Sequence, residues 1–215
     1  MRYNLSKALF IGIPVLLWVQ NAHASLIING SFEIPGPPQR FNVPIGSTDI
    51  AGWEVINGPL DYVVGGWQAS SGIASIDLGG DPGAGGIRQT FSTVPGAMYN
   101  VSFDLSGNPD LFGEPSLKTV LLEVAGVSQA FSFDTASEGN TFLDMKWYPY
   151  TLQFAASSPT TTISFINTMG TVYTGPAIDS VSVSEVPGPL TALGTIAAFG
   201  WSRRLRQRIS IGRIK

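Results

Sequence analysis

The sequence predicts an all-β protein built as a single jelly-roll β-sandwich, on three observations. Between residues 25 and 185, about ten short apolar or alternating runs follow one another. Turn chemistry separates them, in a chain with 25 Gly and 15 Pro. No segment in that range sustains a helical period. In chain order the predicted strands are 26–29, 61–64, 73–78, 87–92, 99–105, 119–125, 129–133, 150–155, 162–167 and 178–184. The run 99–105 is the clearest: Tyr99, Val101, Phe103 and Leu105 fall on one face and Asn100, Ser102 and Asp104 on the other. A period of two marks a half-buried strand. The breaks are Asn57-Gly58, Gly79-Gly80, Asp81-Pro82-Gly83, Pro95-Gly96, Gly107-Asn108-Pro109 and Ala125-Gly126. The stretch 34–48, with Pro35, Pro37, Pro38 and Pro44, reads as a long surface loop.

Charge divides the chain into three parts. Residues 25–185 hold 4 basic and 15 acidic residues, a balance of −11, whereas 186–215 hold 6 basic residues and no acidic one. An acidic middle disfavours nucleic acid as a partner. Cysteine is absent, and the one histidine, His23, lies in a segment expected to be cleaved. Disulfide frameworks, thiolate chemistry, Ser-His-Asp catalysis and histidine-held zinc are thereby excluded from the expected mature protein.

Both ends read as targeting segments. Residues 1–24 have a basic start (Arg2, Lys7), an apolar run from Ala8 to Val19, and Ala22-His23-Ala24, the small-x-small pattern of a secretory cleavage site. At the other end, 186–215, Val186-Pro187-Gly188-Pro189 precedes an apolar stretch over 190–201, followed by Arg203, Arg204, Arg206 and Arg208. Its 12 residues make about 18 Å of helix, short of a hydrocarbon core about 30 Å thick. This order resembles the PEP-CTERM protein-sorting signal of Gram-negative bacteria, with Gly188 where that signal has Glu. The resemblance implies transient insertion in the inner membrane, handling by an exosortase-type enzyme, and delivery to the cell surface or extracellular matrix. An ordinary tail anchor is the alternative.

An ordered set of short motifs runs through the middle: Asn29-Gly30-Ser31-Phe32-Glu33, Gly52-Trp53-Glu54-Val55, Leu60-Asp61-Tyr62 and Ser75-Ile76-Asp77-Leu78. Ile87-Arg88-Gln89-Thr90-Phe91, the run 101–109, Phe131-Ser132-Phe133-Asp134, Met145-Lys146-Trp147 and Gly175-Pro176-Ala177-Ile178-Asp179-Ser180-Val181 complete it. The set resembles the choice-of-anchor C family of bacterial surface proteins. That family is related to a plant cell-wall domain of unknown function with a galactose-binding-like jelly roll. The resemblance implies association with cell walls and polysaccharide.

Three constellations can carry function. A structural calcium ion could sit between Glu33, after the first strand, and Asp179, in the last, since such jelly rolls often tie their ends with calcium and the ion takes carboxylate oxygens; the bland reading is a turn cap and a solvated aspartate. Aromatic rings could stack on sugar: Trp67, in Gly65-Gly66-Trp67-Gln68, reads as a loop residue, with Tyr62, Asp61 and Gln68 as its polar and aromatic company. Trp53 and Trp147 read as core anchors. Finally, Asp77 with Asp81, or Asp104 with Asp110 and Glu114, could in principle run glycoside hydrolysis, although Asp81 and Asp110 sit in turns that favour Asp for backbone reasons. The expectation is a secreted, surface-sorted, non-enzymatic protein that associates with polysaccharide. A structural or adhesive envelope protein without a sugar site is the alternative, and a glycoside hydrolase is the lesser one.

Overall fold

Alternation decides which way each strand faces, and in the computed structural model, which describes residues 24–110, 112–170 and 173–187, it builds two antiparallel sheets. Residues 1–23 and 188–215, which hold all of the two expected targeting segments but Ala24, Val186 and Pro187 and include Ala22, Gly188, Pro189, Arg203, Arg204 and Arg206, lie outside the described residues. In chain order the strands are β1 (Arg40–Val43), β2 (Glu54–Ile56), β3 (Leu60–Val64), β4 (Ala74–Asp77), β5 (Gly79–Gly80), β6 (Gly83–Ala84) and β7 (Gly86–Ser92). Then come β8 (Met98–Gly107), β9 (Leu117–Val124), β10 (Val127–Asp134), β11 (Tyr148–Ala155), β12 (Thr160–Asn167) and β13 (Pro176–Glu185). A single helical turn, α1 (Thr135–Glu138), is capped by the Asp134 carboxylate at its start and by Gly139 at its end.

One sheet of the sandwich has the order β1-β3-β4-β13-β8-β11 and the other β10-β9-β12-β7-β2, while β5 and β6 pair as a separate two-stranded ribbon. The two longest strands, β8 and β13, lie side by side in the first. Their apolar residues Val101, Phe103, Leu105, Ile178, Val181 and Val183 point inward and meet Val120, Leu122, Ile163 and Phe165 of the second sheet. Phe103 stands edge-on to Phe165 at 5.0 Å and to Phe131 at 5.2 Å between ring centres. Each such ring contributes about 1.5–3 kcal/mol by leaving water, and together they set the spacing of the layers.

The expected sandwich is therefore present, and each expected strand from 61–64 onward has a counterpart. The differences are at the edges. The stretch 34–48, expected as a loop, contains β1, and β2 adds a three-residue edge strand at 54–56. The segment 26–30 runs along β13 without forming a continuous ladder: Leu26 N–H donates to the Val183 carbonyl and Val181 N–H to the Gly30 carbonyl. Gly30 is obligatory in that contact, because a Cβ there would overlap the Val181 carbonyl. Beside it, Asn29 (φ 52°) exchanges bonds with Ile34 and also donates to the Ala51 carbonyl, fixing the chain reversal that sends Phe32 onto Trp53 at 5.3 Å.

One end of the sandwich is closed by buried polar groups. Asp77, 1% exposed, accepts the N–H of Gly79 (2.9 Å) and of Gly175 (2.8 Å) on one oxygen and the Asn108 amide (2.8 Å) on the other. Three loops thus meet at one carboxyl group. Burial pushes this group up to about 7 despite the donors around it. Lys118, also buried, reaches Thr174 with its ammonium group, and burial pulls its pKa down.

Two outcomes follow from these contacts. Gly30→Ala is expected to destabilise by at least about 1–3 kcal/mol, the usual range for forcing atoms into a packed site, whereas Gly46→Ala, with open space around it, should cost only the left-handed strain of about 1 kcal/mol. Chemical denaturation of both variants checks this. Asp77 keeps its proton in the fold to about pH 7, while an unfolded aspartate loses it near pH 4. The folded state binds the extra proton across that window, so this contribution to stability is full below the unfolded pKa and is lost as pH rises through about 7. Thermal midpoints measured from about pH 5 to about pH 8 should fall; a rise over that range would contradict the assignment.

Candidate functional site

The outward face of β8 and its two neighbours carries an ordered polar array. Gln153, Asn100 and Ser184 stand opposite one another across β11, β8 and β13; Thr151, Ser102 and Ser182 form the next rung, and Pro149, Asp104 and Asp179 the third. The same period that turns Val101 and Phe103 inward turns these residues outward. All six side chains in the first two rungs carry a hydroxyl or an amide, so all six can donate and accept hydrogen bonds. None is charged.

The third rung is roofed. Asp179 is fully buried beneath the loop 65–73: its Oδ2 accepts the N–H of Ser70 (2.8 Å) and Ser71 (2.9 Å), and its Oδ1 that of Ser180 (2.6 Å). Burial pushes Asp179 up to about 7 against these donors. Ser70 also donates its hydroxyl to Asp104 at 2.5 Å. Glu33 holds the far side of the same loop, with Oε1 accepting the N–H of Ile73 (3.0 Å) and Ala74 (2.9 Å).

At the head of the array sits Trp147, one residue before β11 and on the outward parity of Pro149 and Thr151. Its indole is half-buried against a satellite cluster of Val63, Trp67, Met145 and Ala177, and its N–H donates to the Gln68 carbonyl at 2.9 Å. An indole fixed in this way, part of it in protein and part reaching solvent, can offer its exposed part to a ligand. The surface therefore runs from an aromatic ring along two uncharged hydrogen-bonding rungs.

Several expected site residues have other duties. Trp67, expected on an exposed loop, is only 8% exposed and donates its indole N–H to the Ser75 hydroxyl at 2.7 Å. The Gly65-Gly66 turn folds it back under Trp147 and Met145, so it supports the ring above it and cannot itself stack on a sugar. Tyr62 is fully buried; its hydroxyl donates to the Phe32 carbonyl (2.8 Å) and accepts the Gly36 N–H (3.0 Å). Asp61 faces outward on β3, accepts the Asn42 N–H at 2.7 Å, and is pushed up to about 6 by burial. Gln68 is exposed but joins two loops, its Oε1 accepting the Met145 N–H at 3.0 Å. Trp53 is a core anchor as expected, whereas Trp147, expected in the core, is the partly open ring.

Glu33 and Asp179 do converge on one loop, but through its N–H groups. Glu33 Oε1 and both Asp179 oxygens accept backbone donors there, so loop N–H groups take lone pairs that a calcium ion would otherwise use. Among the described residues no three Asp, Glu or His side chains gather where a metal could sit. Of the carboxylates weighed for hydrolysis, three are engaged: Asp77 at the three-loop junction, Asp104 with Ser70, and Glu114 on the N–H groups of Tyr173 and Thr174.

Comparison with known proteins places the chain. The family described as "Protein of unknown function (DUF642)" matches residues 25–184. Halomucin of Haloquadratum walsbyi (strain DSM 16790 / HBSQ001) is 30% identical over 198 residues, which are 88% of this chain and 2% of halomucin, so the chain spans only a small fraction of that relative. Among solved structures, TmCBM61 in complex with β-1,4-galactotriose shares 15% identity, covering 75% of this chain and 99% of that one, with a TM-score of 0.49. A native family 35 carbohydrate binding module from Clostridium thermocellum shares 16%, covering 68% and 100%, with a TM-score of 0.43. The motifs that hold this sandwich together, from Asn29-Gly30 to the Asp179 clamp, fall inside the matched span, and the chain belongs to the DUF642 family of proteins of unknown function.

Proposed function

We propose that this protein is a non-catalytic, surface-sorted module that binds neutral polysaccharide along the outward face of its six-stranded sheet. The observation that carries the reading is the array itself: two uncharged polar rungs across three strands, headed by a half-open indole. Sugar rings offer a C–H face to an aromatic ring and hydroxyls that both donate and accept. A domain with 15 acidic against 4 basic residues over 25–185 repels polyanions, which favours a neutral chain over a uronate-rich one. The engaged carboxylates support binding without turnover. Export by the N-terminal segment, and sorting to the surface or matrix by an exosortase-type enzyme acting on Pro187-Gly188-Pro189 and the Arg cluster, belong to the same reading, as does kinship with the choice-of-anchor C proteins. Binding that does not depend on calcium is part of the same proposal, since Glu33 Oε1 and both Asp179 oxygens already accept backbone N–H groups.

Affinity electrophoresis of the purified protein through gels holding galactan, xylan, β-glucan or polygalacturonate tests the proposal. Retardation is expected on at least one neutral polymer, unchanged by chelator, and absent on polygalacturonate. Trp147→Ala should weaken it about tenfold or more, as for a central aromatic contact. The double variant Asn100→Ala/Gln153→Ala should weaken it while keeping the thermal midpoint within about 2 °C, since it touches only outward side chains. Retardation that survives both variants would remove the face from the site. No retardation on any polymer would favour a structural or adhesive envelope protein.

A further inference from the structure

Both ends of the described chain leave the sandwich at one pole. Leu26 bonds Val183, and Val186 N–H donates to the Met98 carbonyl, so residues 24–26 and 185–187 emerge together beside Val94 and Met98. Strand β13 has 10 residues, which places its start, Pro176, about 30 Å away at the opposite pole. A chain tethered by either end holds that second pole outward.

The outward pole carries two rings that the core does not use. Phe112, in the β8–β9 loop, is 69% exposed, and Tyr173, in the β12–β13 loop, is 56% exposed. Their ring centres are 6.3 Å apart with planes tilted by 60°, which makes a notch and not a flat patch. Phe112 adopts φ 44°, and Gly113 follows at 81°. A bulky side chain in the left-handed region is a strained placement of the kind that clusters at binding sites.

The notch is held from below. The Glu114 carboxylate, from the loop of Phe112, accepts the N–H of Tyr173 (3.1 Å) and of Thr174 (2.9 Å) and the Thr174 hydroxyl (2.7 Å). Buried Lys118 donates to the Thr174 carbonyl at 3.0 Å and to its hydroxyl at 2.6 Å. One loop thus grips the other, and both stand on a buried ammonium group. Rings fixed before the ligand arrives lose little entropy on binding.

We propose that Phe112 and Tyr173 form a second binding notch, for a single neutral pyranose, on the pole that faces away from both chain ends. The two rings offer C–H contacts on two sides of a sugar. The Tyr173 phenol and the half-buried Asp110, two residues before Phe112, supply partners for its hydroxyls. Asp110 and Glu114 flank Phe112 in sequence and disfavour an anionic sugar. This notch needs neither Trp147 nor the polar rungs, so it stands or falls apart from the sheet face.

Nuclear magnetic resonance titration of the isotope-labelled full chain with methyl β-galactoside, methyl β-glucoside, methyl β-xyloside and glucuronate tests it. One or more neutral glycosides should shift the amide signals of Gly113 and Tyr173 saturably, in the millimolar range usual for one sugar ring. Glucuronate should not. The shifts should vanish in Phe112→Ala and in Tyr173→Ala and persist in Asn100→Ala/Gln153→Ala, which separates the notch from the sheet face. Both single variants remove exposed rings, so unchanged thermal midpoints are expected to accompany the loss. Shifts confined to Asn100, Ser102 or Trp147, no shift at Gly113 and Tyr173 with any glycoside, or shifts that survive Phe112→Ala would overturn the proposal. So would a concentration-dependent dimer, seen by sedimentation without sugar and broken by Phe112→Ala, since the rings would then be a self-contact.

Discussion

A sandwich without cysteine, whose sheets are joined by long Gly- and Pro-rich loops, must satisfy many loop N–H groups that no strand pairs with. Carboxylates do this here. Asp77 gathers Gly79, Gly175 and Asn108; Asp179 gathers Ser70, Ser71 and Ser180; Glu33 takes Ile73 and Ala74; Glu114 takes Tyr173 and Thr174. Each joins segments far apart in sequence, as a disulfide does in disulfide-rich domains. Unlike a disulfide, the two buried aspartates depend on burial and on protonation. Asp77 and Asp179 both lie where desolvation wins over hydrogen bonding and lifts the pKa to about 7.

These fasteners shape what the surface can do. The clamp at Asp179 and Glu33 pins the loop 65–73 over the third rung, and that loop carries Trp67, whose buried ring underlies Trp147. The open indole is thus placed by a chain of contacts that begins with two carboxylates. At the far pole the Glu114 grip does the same for Tyr173. Glu33, Asp77, Asp179 and Glu114, weighed in the sequence as metal ligands or hydrolytic carboxylates, hold loop N–H groups in the fold.

The layered part of the fold was legible because its cause is local. A period of two in Tyr99–Leu105 needs no knowledge of the partner strand, and it already separated Val101 and Phe103 from Asn100, Ser102 and Asp104. That polar row was read as the solvated side of a strand, although its outward rung partners, Thr151, Gln153, Ser182 and Ser184, were equally readable as alternation. Strands β1 and β2 escaped notice because they are three or four residues long, and β1 pairs irregularly with β3. Such short edges hold by tertiary pairing and carry little pattern. Trp67 and Trp147 exchanged roles for the same reason. A Gly-Gly-Trp turn looks exposed until a second loop, far along the chain, is laid over it.

The topology adds a direction to these surfaces. Because β13 runs the full height of the sandwich, the fold separates the pole where the chain enters and leaves from the pole where Phe112 and Tyr173 stand. The polar rungs of the sheet face lie along the strands between the two. An extended chain lying on that face parallel to the strands would meet Asn100 and then Ser102, and would end against the loop 65–73 that roofs the third rung beside Trp147. On the proposed reading, one polymer lying along the strands could reach both the side face and the outward notch. Neither lies at the pole where residues 24–26 and 185–187 emerge. Two modest contacts on one polymer raise its residence through effective concentration, without either needing to be strong alone, and the carboxylate fasteners that stiffen both loops fix the distance between them.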